Sequence, residues 1–215
     1  MFPRPGFVFR AWTPYPNLGA RSYPGDTIRI TANAREFYAE WYNQASPIIL
    51  DLDGKGVRTT SLSNGVVFDF AGNGNAVQSA WSDPSCGFLV RDLNGNGQID
   101  NGSEMFGDYT ILKNGEQAKN GFIALAELDL NGDGEVDRDE AEAAGIRIWR
   151  DANTNGIVDA GEMLTFEQAG VLSVQTRYVN SREVDENGNM YRWHGTFIRS
   201  DGRRAAAVDV LFITE

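Results

Sequence analysis

The chain has 215 residues, 41% hydrophobic and 23% charged, a composition typical of a globular protein with a buried core. Its formal net charge of -11 argues against nucleic acid and anionic membrane surfaces as partners. One cysteine, Cys86, excludes an intramolecular disulfide, and one histidine, His194, excludes a zinc site built on several histidines. No run approaches the ~18 apolar residues of a membrane span, and the N-terminus lacks the apolar core of a secretory signal.

Residues 1–46 differ in composition from the rest of the chain and are expected to form an N-terminal arm. Five prolines within them argue against a long helix. The exception is the segment 31–45, where aromatic residues recur at helical spacing. We expect a helix there, with an aromatic stripe that packs into a core or, alternatively, docks a protein partner.

The composition changes at Ser46-Pro47, after which residues 48–52 predict a buried strand that runs into an acidic turn. Asp51 and Asp53 stand at the first and third positions of a calcium loop, but the later positions of that pattern lack oxygen ligands. We therefore expect these two residues to act only as shared ligands, with Asp69 from the next acidic turn. A Gly/Asn hairpin turn is the alternative for that second turn.

Three further segments fit the calcium-loop pattern D-x-[DN]-x-[DN]-G-x5-E or come close to it. Calcium takes about 6–8 oxygen ligands, and a tight loop supplies them from alternate side chains, one backbone carbonyl and a closing glutamate. The first loop closes one residue late, at Glu104, or earlier, at Asp100. The predicted ligands are Asp92, Asn94, Asn96, Gln98, Asp100 and Glu104; Asp129, Asn131, Asp133, Glu135, Asp137 and Glu140; and Asp151, Asn153, Asn155, Ile157, Asp159 and Glu162.

The last two loops follow each other closely, and each has a valine at its eighth position, where paired loops bridge through a short strand. The sequence therefore predicts that residues 129–162 form an EF-hand-like pair. It also predicts a helix after Asn120, a short helix that ends at Gly145, a strand over 146–149 and a short helix over 165–170. Residues 171–215 predict an antiparallel β-meander.

These elements together predict an α+β fold in which short antiparallel strands and short helices are knit together by EF-hand-like calcium loops. The loops are expected to replace much of a missing core. Two or more Ca²⁺ ions are the expected cofactors.

Residues 47–215 resemble a calcium-binding module of bacterial RTX-type secreted proteins, and are similar to the self-processing module of the Frp-type iron-regulated proteins. The motifs that carry the resemblance are PIILDLDGKGV, GVVFDF, GFLVRDLNGNGQIDNGSEMFGD, NGFIAL, ELDLNGDGEVD, IRIWRDANTNGIVDAGE, GTFIRSDGR and VDVLF, in this order. The resemblance implies secretion to the extracellular space, here without an N-terminal signal peptide, and folding on calcium binding.

In self-processing members, the resemblance further implies cleavage of an Asp-Pro bond at the start of the module, where the aspartate attacks its own carbonyl and forms an anhydride. Here the matching dipeptide is Ser46-Pro47, and serine cannot form that anhydride. An N-to-O acyl shift at Ser46 is conceivable, but no feature of the sequence supports it. Asp83-Pro84 lies inside the module and is interpreted as incidental.

A non-processing calcium module is therefore the leading hypothesis. An autoproteolytic and cross-linking module, and an adaptor that binds a partner through residues 1–46, are the alternatives.

Overall fold

The computed structural model describes residues 8–14, 37–42 and 46–215. The chain divides into two compact units, Met1–Gln44 and Ala45–Glu215. In the first unit, strand β1 (Val8–Pro14) pairs antiparallel with strand β2 (Phe37–Tyr42). The helix predicted over 31–45 is therefore wrong at 37–42, where aromatic residues suit a paired strand and six residues are too few for a stable isolated helix. The rest of that prediction lies outside the described residues.

The second unit is built on a nine-stranded sheet in which every described strand pair is antiparallel. Its strands are β3 (Ile48–Leu50), β6 (Gly87–Arg91), β7 (Glu135–Asp137), β8 (Ile146–Trp149), β9 (Met163–Leu164), β10 (Val171–Gln175), β11 (Val179–Val184), β12 (Met190–Arg199) and β13 (Arg204–Leu211). Their order is β7-β10-β12-β13-β3-β6-β8-β9, and β11 pairs with β12. A separate hairpin joins β4 (Val66–Phe68) to β5 (Val77–Ser79).

Helices are few and short in the described residues. Helix α1 (Gly121–Ala126) begins at Asn120, whose side chain accepts a hydrogen bond from the Ile123 N–H. Helix α2 (Arg138–Ala144) ends at Gly145, which has a φ of 71°. Both helices confirm their predicted places.

The helix predicted over 165–170 is wrong, although Thr165 and Gln168 make both hydrogen bonds of a capping box. The segment stays a turn because the Val171 N–H bonds back to the Phe166 carbonyl and strand β10 begins there. The predicted α+β class is also wrong. Antiparallel strands make up most of the ordered structure, and the helices only connect them.

The central strands β3, β6 and β8 are buried on both faces, so the loops do not replace a missing core. Along β3 and β6 the side chains alternate between two hydrophobic clusters, as the pleat of a strand requires. Ile49 and Phe88 enter one cluster, and Ile48, Leu50 and Leu89 enter the other. None of the helices in the described part of the chain has the length and apolar character that a membrane span needs.

Candidate functional site

Three loops share one hydrogen-bonding scheme: one follows β6, one contains β7 and one follows β8. In each, the first aspartate accepts a hydrogen bond from the N–H of the glycine five residues later, and this glycine has a positive φ. The Oδ2···N distances are 2.8 Å for Asp92 and Gly97, 2.9 Å for Asp129 and Gly134, and 2.8 Å for Asp151 and Gly156. The three loops therefore turn in the same way around their first carboxylate.

Each loop is closed by a buried glutamate whose two carboxylate oxygens accept from different backbone N–H groups. One oxygen accepts from the second residue of the loop and the other from the ninth. The oxygens of Glu104 accept from Leu93 and Asp100 at 2.9 and 2.7 Å, those of Glu140 from Leu130 and Asp137 at 2.7 and 3.1 Å, and those of Glu162 from Ala152 and Asp159 at 2.8 and 3.1 Å. Glu104 thus occupies the closing place of its longer loop.

The extra residue of the first loop is taken up by a short 3-10 turn over Gly102–Glu104. Asn101 caps this turn, because its side chain accepts from the Ser103 N–H at 2.9 Å. The later position of the acid therefore does not change where its carboxylate lies relative to the loop backbone.

The middle of each loop is lined by oxygen atoms. The N–H of the seventh residue donates to the side-chain oxygen of the fifth: Gln98 to Asn96 and Ile157 to Asn155 at 2.8 Å, and Glu135 to Asp133 at 2.9 Å. The amide nitrogens of Asn94 and Asn96 donate to Asp100, those of Asn153 and Asn155 donate to Asp159, and that of Asn131 donates to Asp133.

This donor set of carboxylate, amide and carbonyl oxygens fits a hard cation such as Ca²⁺. A bound cation would take the place of the amide-to-carboxylate contacts inside each loop. No group of three or more His, Cys, Asp or Glu side chains is close enough to hold a metal within the described part of the chain. A metal in these loops would therefore depend on asparagine and backbone oxygens as well as on carboxylates.

The loops do not pair as their order in the sequence suggests. Val136 lies in β7 and pairs with Val174 of β10, so the eighth position of the second loop does not bridge to the third. Instead, the N–H of Val158 donates to Gln98 Oε1 and the Val158 carbonyl accepts from Gln98 Nε2, both at 3.1 Å. The joined loops are therefore those that begin at Asp92 and Asp151.

Two buried tryptophans attach the third loop to the core, and the sequence analysis did not assign them a role. The Trp81 indole N–H donates to Asp151 Oδ2 at 2.9 Å. The Trp149 indole N–H lies 3.5 Å from Glu162 Oε2, and the two indole rings are 5.6 Å apart. The pattern of the loops carries no signal for these donors, because Trp81 lies 70 residues before Asp151.

The two acidic turns that precede these loops form separate structures. The Asp51 carboxylate accepts hydrogen bonds from the N–H groups of Gly54 and Gly56 at 2.8 and 3.0 Å. Asp53 instead forms an ion pair with Arg58 at 2.8 Å. The hydrogen bond from Arg58 holds the pKa of Asp53 well below its usual range. Its carboxylate is thus partly occupied by a cation of the protein itself.

Asp69 lies in a turn of its own, where its oxygens accept from Asn73 and Gly74. This turn packs beside the first loop, since the Gly102 N–H donates to the Phe70 carbonyl at 3.2 Å. The structure therefore brings Asp69 toward the end of the Asp92 loop.

A family model for the SPM domain matches residues 48–213, the part of the chain that contains the sheet and all these loops. The chain belongs to the SPM domain family. The chain is also 40% identical over 176 residues to the iron-regulated protein FrpA of Neisseria meningitidis serogroup C. This confirms the resemblance to the Frp-type proteins. The match takes in 81% of the present chain but only 16% of FrpA.

Proposed function

We propose that residues 47–215 form a calcium-binding module of a secreted RTX-type protein, which folds when Ca²⁺ binds to the loops that begin at Asp92, Asp129 and Asp151. The observation that supports the proposal most is the scheme shared by the three loops, above all their closing glutamates. Glu104, Glu140 and Glu162 are buried, and among the described residues none of them forms an ion pair with Lys or Arg.

A buried carboxylate that lacks a counter-charge destabilises a fold by several kcal/mol, and a cation in the loop offsets that cost. Neutral asparagines at the third and fifth positions of the first and third loops lower the ligand charge. Lower ligand charge favours affinities in the range of extracellular modules, about 10⁻⁴–10⁻³ M. The module would then be unfolded at cytosolic calcium and folded outside the cell.

Circular dichroism and thermal melting in chelator and in millimolar CaCl₂ test this function. We expect secondary structure and Tm to rise with Ca²⁺, because a ligand that binds only the folded state stabilises it, by about 1.4 kcal/mol per site at a concentration of ten times Kd. The variant Glu140→Gln should need more Ca²⁺ for the same Tm. Glu167→Gln, the same change at an exposed residue outside the loops, serves as its control. Identical melts in chelator and in calcium would contradict the proposal.

The proposed module does not include Asp-Pro cleavage at its boundary, because Ser46 stands before Pro47. The only Asp-Pro dipeptide is held in a turn inside the module. Asp83 Oδ1 accepts from the Ser85 N–H at 3.0 Å, and its backbone N–H donates to the Arg58 carbonyl at 3.0 Å. We expect no fragment ending at Asp83 when the folded protein is kept in calcium and its intact mass is measured.

A further inference from the structure

Asparagine is followed by glycine ten times in the chain, and all ten pairs lie within the described residues. Such a pair can modify itself, because the glycine nitrogen attacks the asparagine side chain and closes a five-membered ring. The reaction needs a glycine N–H that can lose its proton and an asparagine side chain that is free to turn toward it. Hydrogen bonds in the folded protein therefore decide which of the ten pairs can react.

Nine of the ten glycine N–H groups are held in hydrogen bonds of 2.6–3.2 Å. Six of the nine donate to an aspartate carboxylate, whose negative charge strengthens the bond and opposes loss of the proton. These six are Gly74, Gly95, Gly97, Gly121, Gly132 and Gly156. The other three donate to backbone carbonyls, but in each of these pairs the asparagine side chain is held by hydrogen bonds of its own. Asn101 is held by Ser103, Asn114 by Glu116 and Asn187 by Thr59.

The pair Asn64-Gly65 differs from the other nine in both respects. The Gly65 N–H donates to the Leu62 carbonyl at 3.3 Å, the longest of the ten bonds. That carbonyl also accepts from Gln78 Nε2 at 2.8 Å, so the Gly65 N–H shares its acceptor with a closer donor. The Asn64 side chain is exposed and makes no hydrogen bond to any described residue. Asn64 therefore has both the free side chain and the weakly held neighbouring N–H that the reaction needs.

Asn64 also ends a short 3-10 turn that few interactions hold in place. The turn spans Leu62–Asn64, contains no buried residue and has no side-chain cap at Ser61. Its opening breaks the long Gly65 bond and a bond of 3.1 Å from the Asn64 N–H to the Ser61 carbonyl, and exposes no core side chain of the turn. Such a segment opens at a small fraction of the free energy of global unfolding. The open turn gives Asn64 the backbone freedom that ring closure requires.

We propose that Asn64 is a site of spontaneous modification, at which the folded protein converts asparagine into aspartate and isoaspartate through a succinimide with Gly65. The Gly65 nitrogen loses its proton to solvent and attacks Asn64 Cγ. The side-chain amide takes up a proton and leaves as ammonia, which completes the ring. Water then opens the ring: attack at Cγ gives aspartate, whereas attack at the backbone carbonyl carbon of Asn64 gives isoaspartate. Water is the only co-reactant.

Isoaspartate at this position disturbs the packing of the next residues. It adds one carbon atom to the backbone before Gly65, which lies so close to β5 that a Cβ on it would be 1.8 Å from the Ser79 carbonyl oxygen. Gly65 leads directly into β4, where Val66 packs against the turning glycine of the Asp151 loop. A Cβ on that glycine, Gly156, would lie 3.2 Å from Val66 Cβ. A shift at Gly65 therefore reaches both the β4–β5 hairpin and the Asp151 loop.

The experiment incubates the full-length chain at mildly alkaline pH in CaCl₂, with its folding monitored by circular dichroism, beside a sample unfolded in guanidinium chloride. Peptide mapping by mass spectrometry follows each Asn-Gly pair. In the folded protein we expect Asn64 to react at least about tenfold faster than any other pair, because the rate follows the population of the locally open form. In guanidinium chloride all ten pairs should react at similar rates. The proposal is overturned if Asn64 in the folded protein reacts no faster than Asn114, or stays intact while the unfolded sample reacts completely.

Two glutamine variants test the assignment of the residue. Asn64→Gln should suppress the modification at position 64, because glutamine has to close a larger ring and does so much more slowly. Asn114→Gln, the same change at another exposed Asn-Gly pair, should leave the rate at Asn64 unchanged. A mass change in the peptide around position 64 that persists at the wild-type rate in Asn64→Gln overturns the assignment.

Asn64→Asp separates the added charge from the altered backbone. Aged protein with isoaspartate at position 64, isolated by chromatography, should unfold at a lower denaturant concentration than Asn64→Asp. Equal unfolding midpoints would show that the extra backbone carbon leaves the hairpin intact, and would overturn the proposed effect on packing. The aged protein should also need more Ca²⁺ than Asn64→Asp for the same Tm. This last expectation rests on the proposed calcium function, which the melts of the unmodified protein decide, whereas the rate of modification at Asn64 does not.

Discussion

The side chain of Gln98 joins two loops that lie 60 residues apart in the sequence. Its amide makes two hydrogen bonds of 3.1 Å to the backbone of Val158, one as donor and one as acceptor. Replacement by alanine removes both bonds and leaves the Val158 N–H and carbonyl to solvent. We therefore expect Gln98→Ala to weaken the link between the Asp92 loop and the Asp151 loop.

The size of the effect follows from the two bonds. A neutral hydrogen bond contributes about 0.5–1.5 kcal/mol net, which sets an upper limit of about 3 kcal/mol. Gln98 is partly exposed, so water replaces part of what is lost. We expect the free energy of unfolding to fall by about 1–2 kcal/mol. Gln98→Glu, which retains an acceptor but has no donor, should lose about half as much.

Urea denaturation in saturating CaCl₂, followed by tryptophan fluorescence, measures the change. Gln117→Ala is the matched control, because Gln117 is exposed and its side chain makes no hydrogen bond to a described residue. In calorimetric titration, Gln98→Ala should also reduce the cooperativity of calcium binding between the two loops. If Gln98→Ala and Gln117→Ala unfold within about 0.5 kcal/mol of each other, the loops are not coupled through this amide.

Three other changes test the site. Trp81→Phe keeps the ring but removes the donor to Asp151, and should lower the free energy of unfolding by about 1–3 kcal/mol in urea. The difference in stability between Asp108→Asn and the wild type should grow in favour of the variant as the pH rises from 4 to 7, because the Asp108 carboxyl ionises in this range and the Asn amide does not. Burial raises the pKa of Asp108 from about 3.9 in the unfolded chain to about 6 in the folded protein, so its ionisation lowers the stability of the wild type by at most about 3 kcal/mol. The same difference between variant and wild type at pH 4 and at pH 7 would contradict this. Removal of calcium by chelator should lower the Tm of Glu140→Gln less than that of the wild type.

Much of each loop could be predicted because its geometry is local. The first aspartate, the turning glycine and the seventh-position N–H all lie within seven residues, so their spacing already determines which backbone groups they meet. The sequence also pointed to Glu104, although not to the short turn over 102–104 that absorbs the extra residue. Local hydrogen bonds therefore determine most of the conformation of each loop, and the spacing of the residues predicts them.

The pairing of the loops could not be predicted because distant strands determine it. Phe88 of β6 lies opposite Trp149 of β8, and this register brings together the loops that follow the two strands. The second loop contains β7, which pairs with β10 at the far end of the sheet. Closeness in the sequence favoured pairing of the Asp129 and Asp151 loops, which is wrong. The residues inside a loop do not determine which strands lie next to each other in the sheet.

The two tryptophans determine how calcium binding in the Asp151 loop would reach the rest of the fold. Trp81 contacts Asp151, and its ring packs 4.6 Å from that of Phe88 in the core. Phe88 in turn lies opposite Trp149, whose indole faces Glu162 at the other end of the loop. Both ends of the loop are thus tied to one aromatic cluster. A cation that fixes the loop would order this cluster, whereas the Asp129 loop has no tryptophan donor among the described residues and would act mainly through β7.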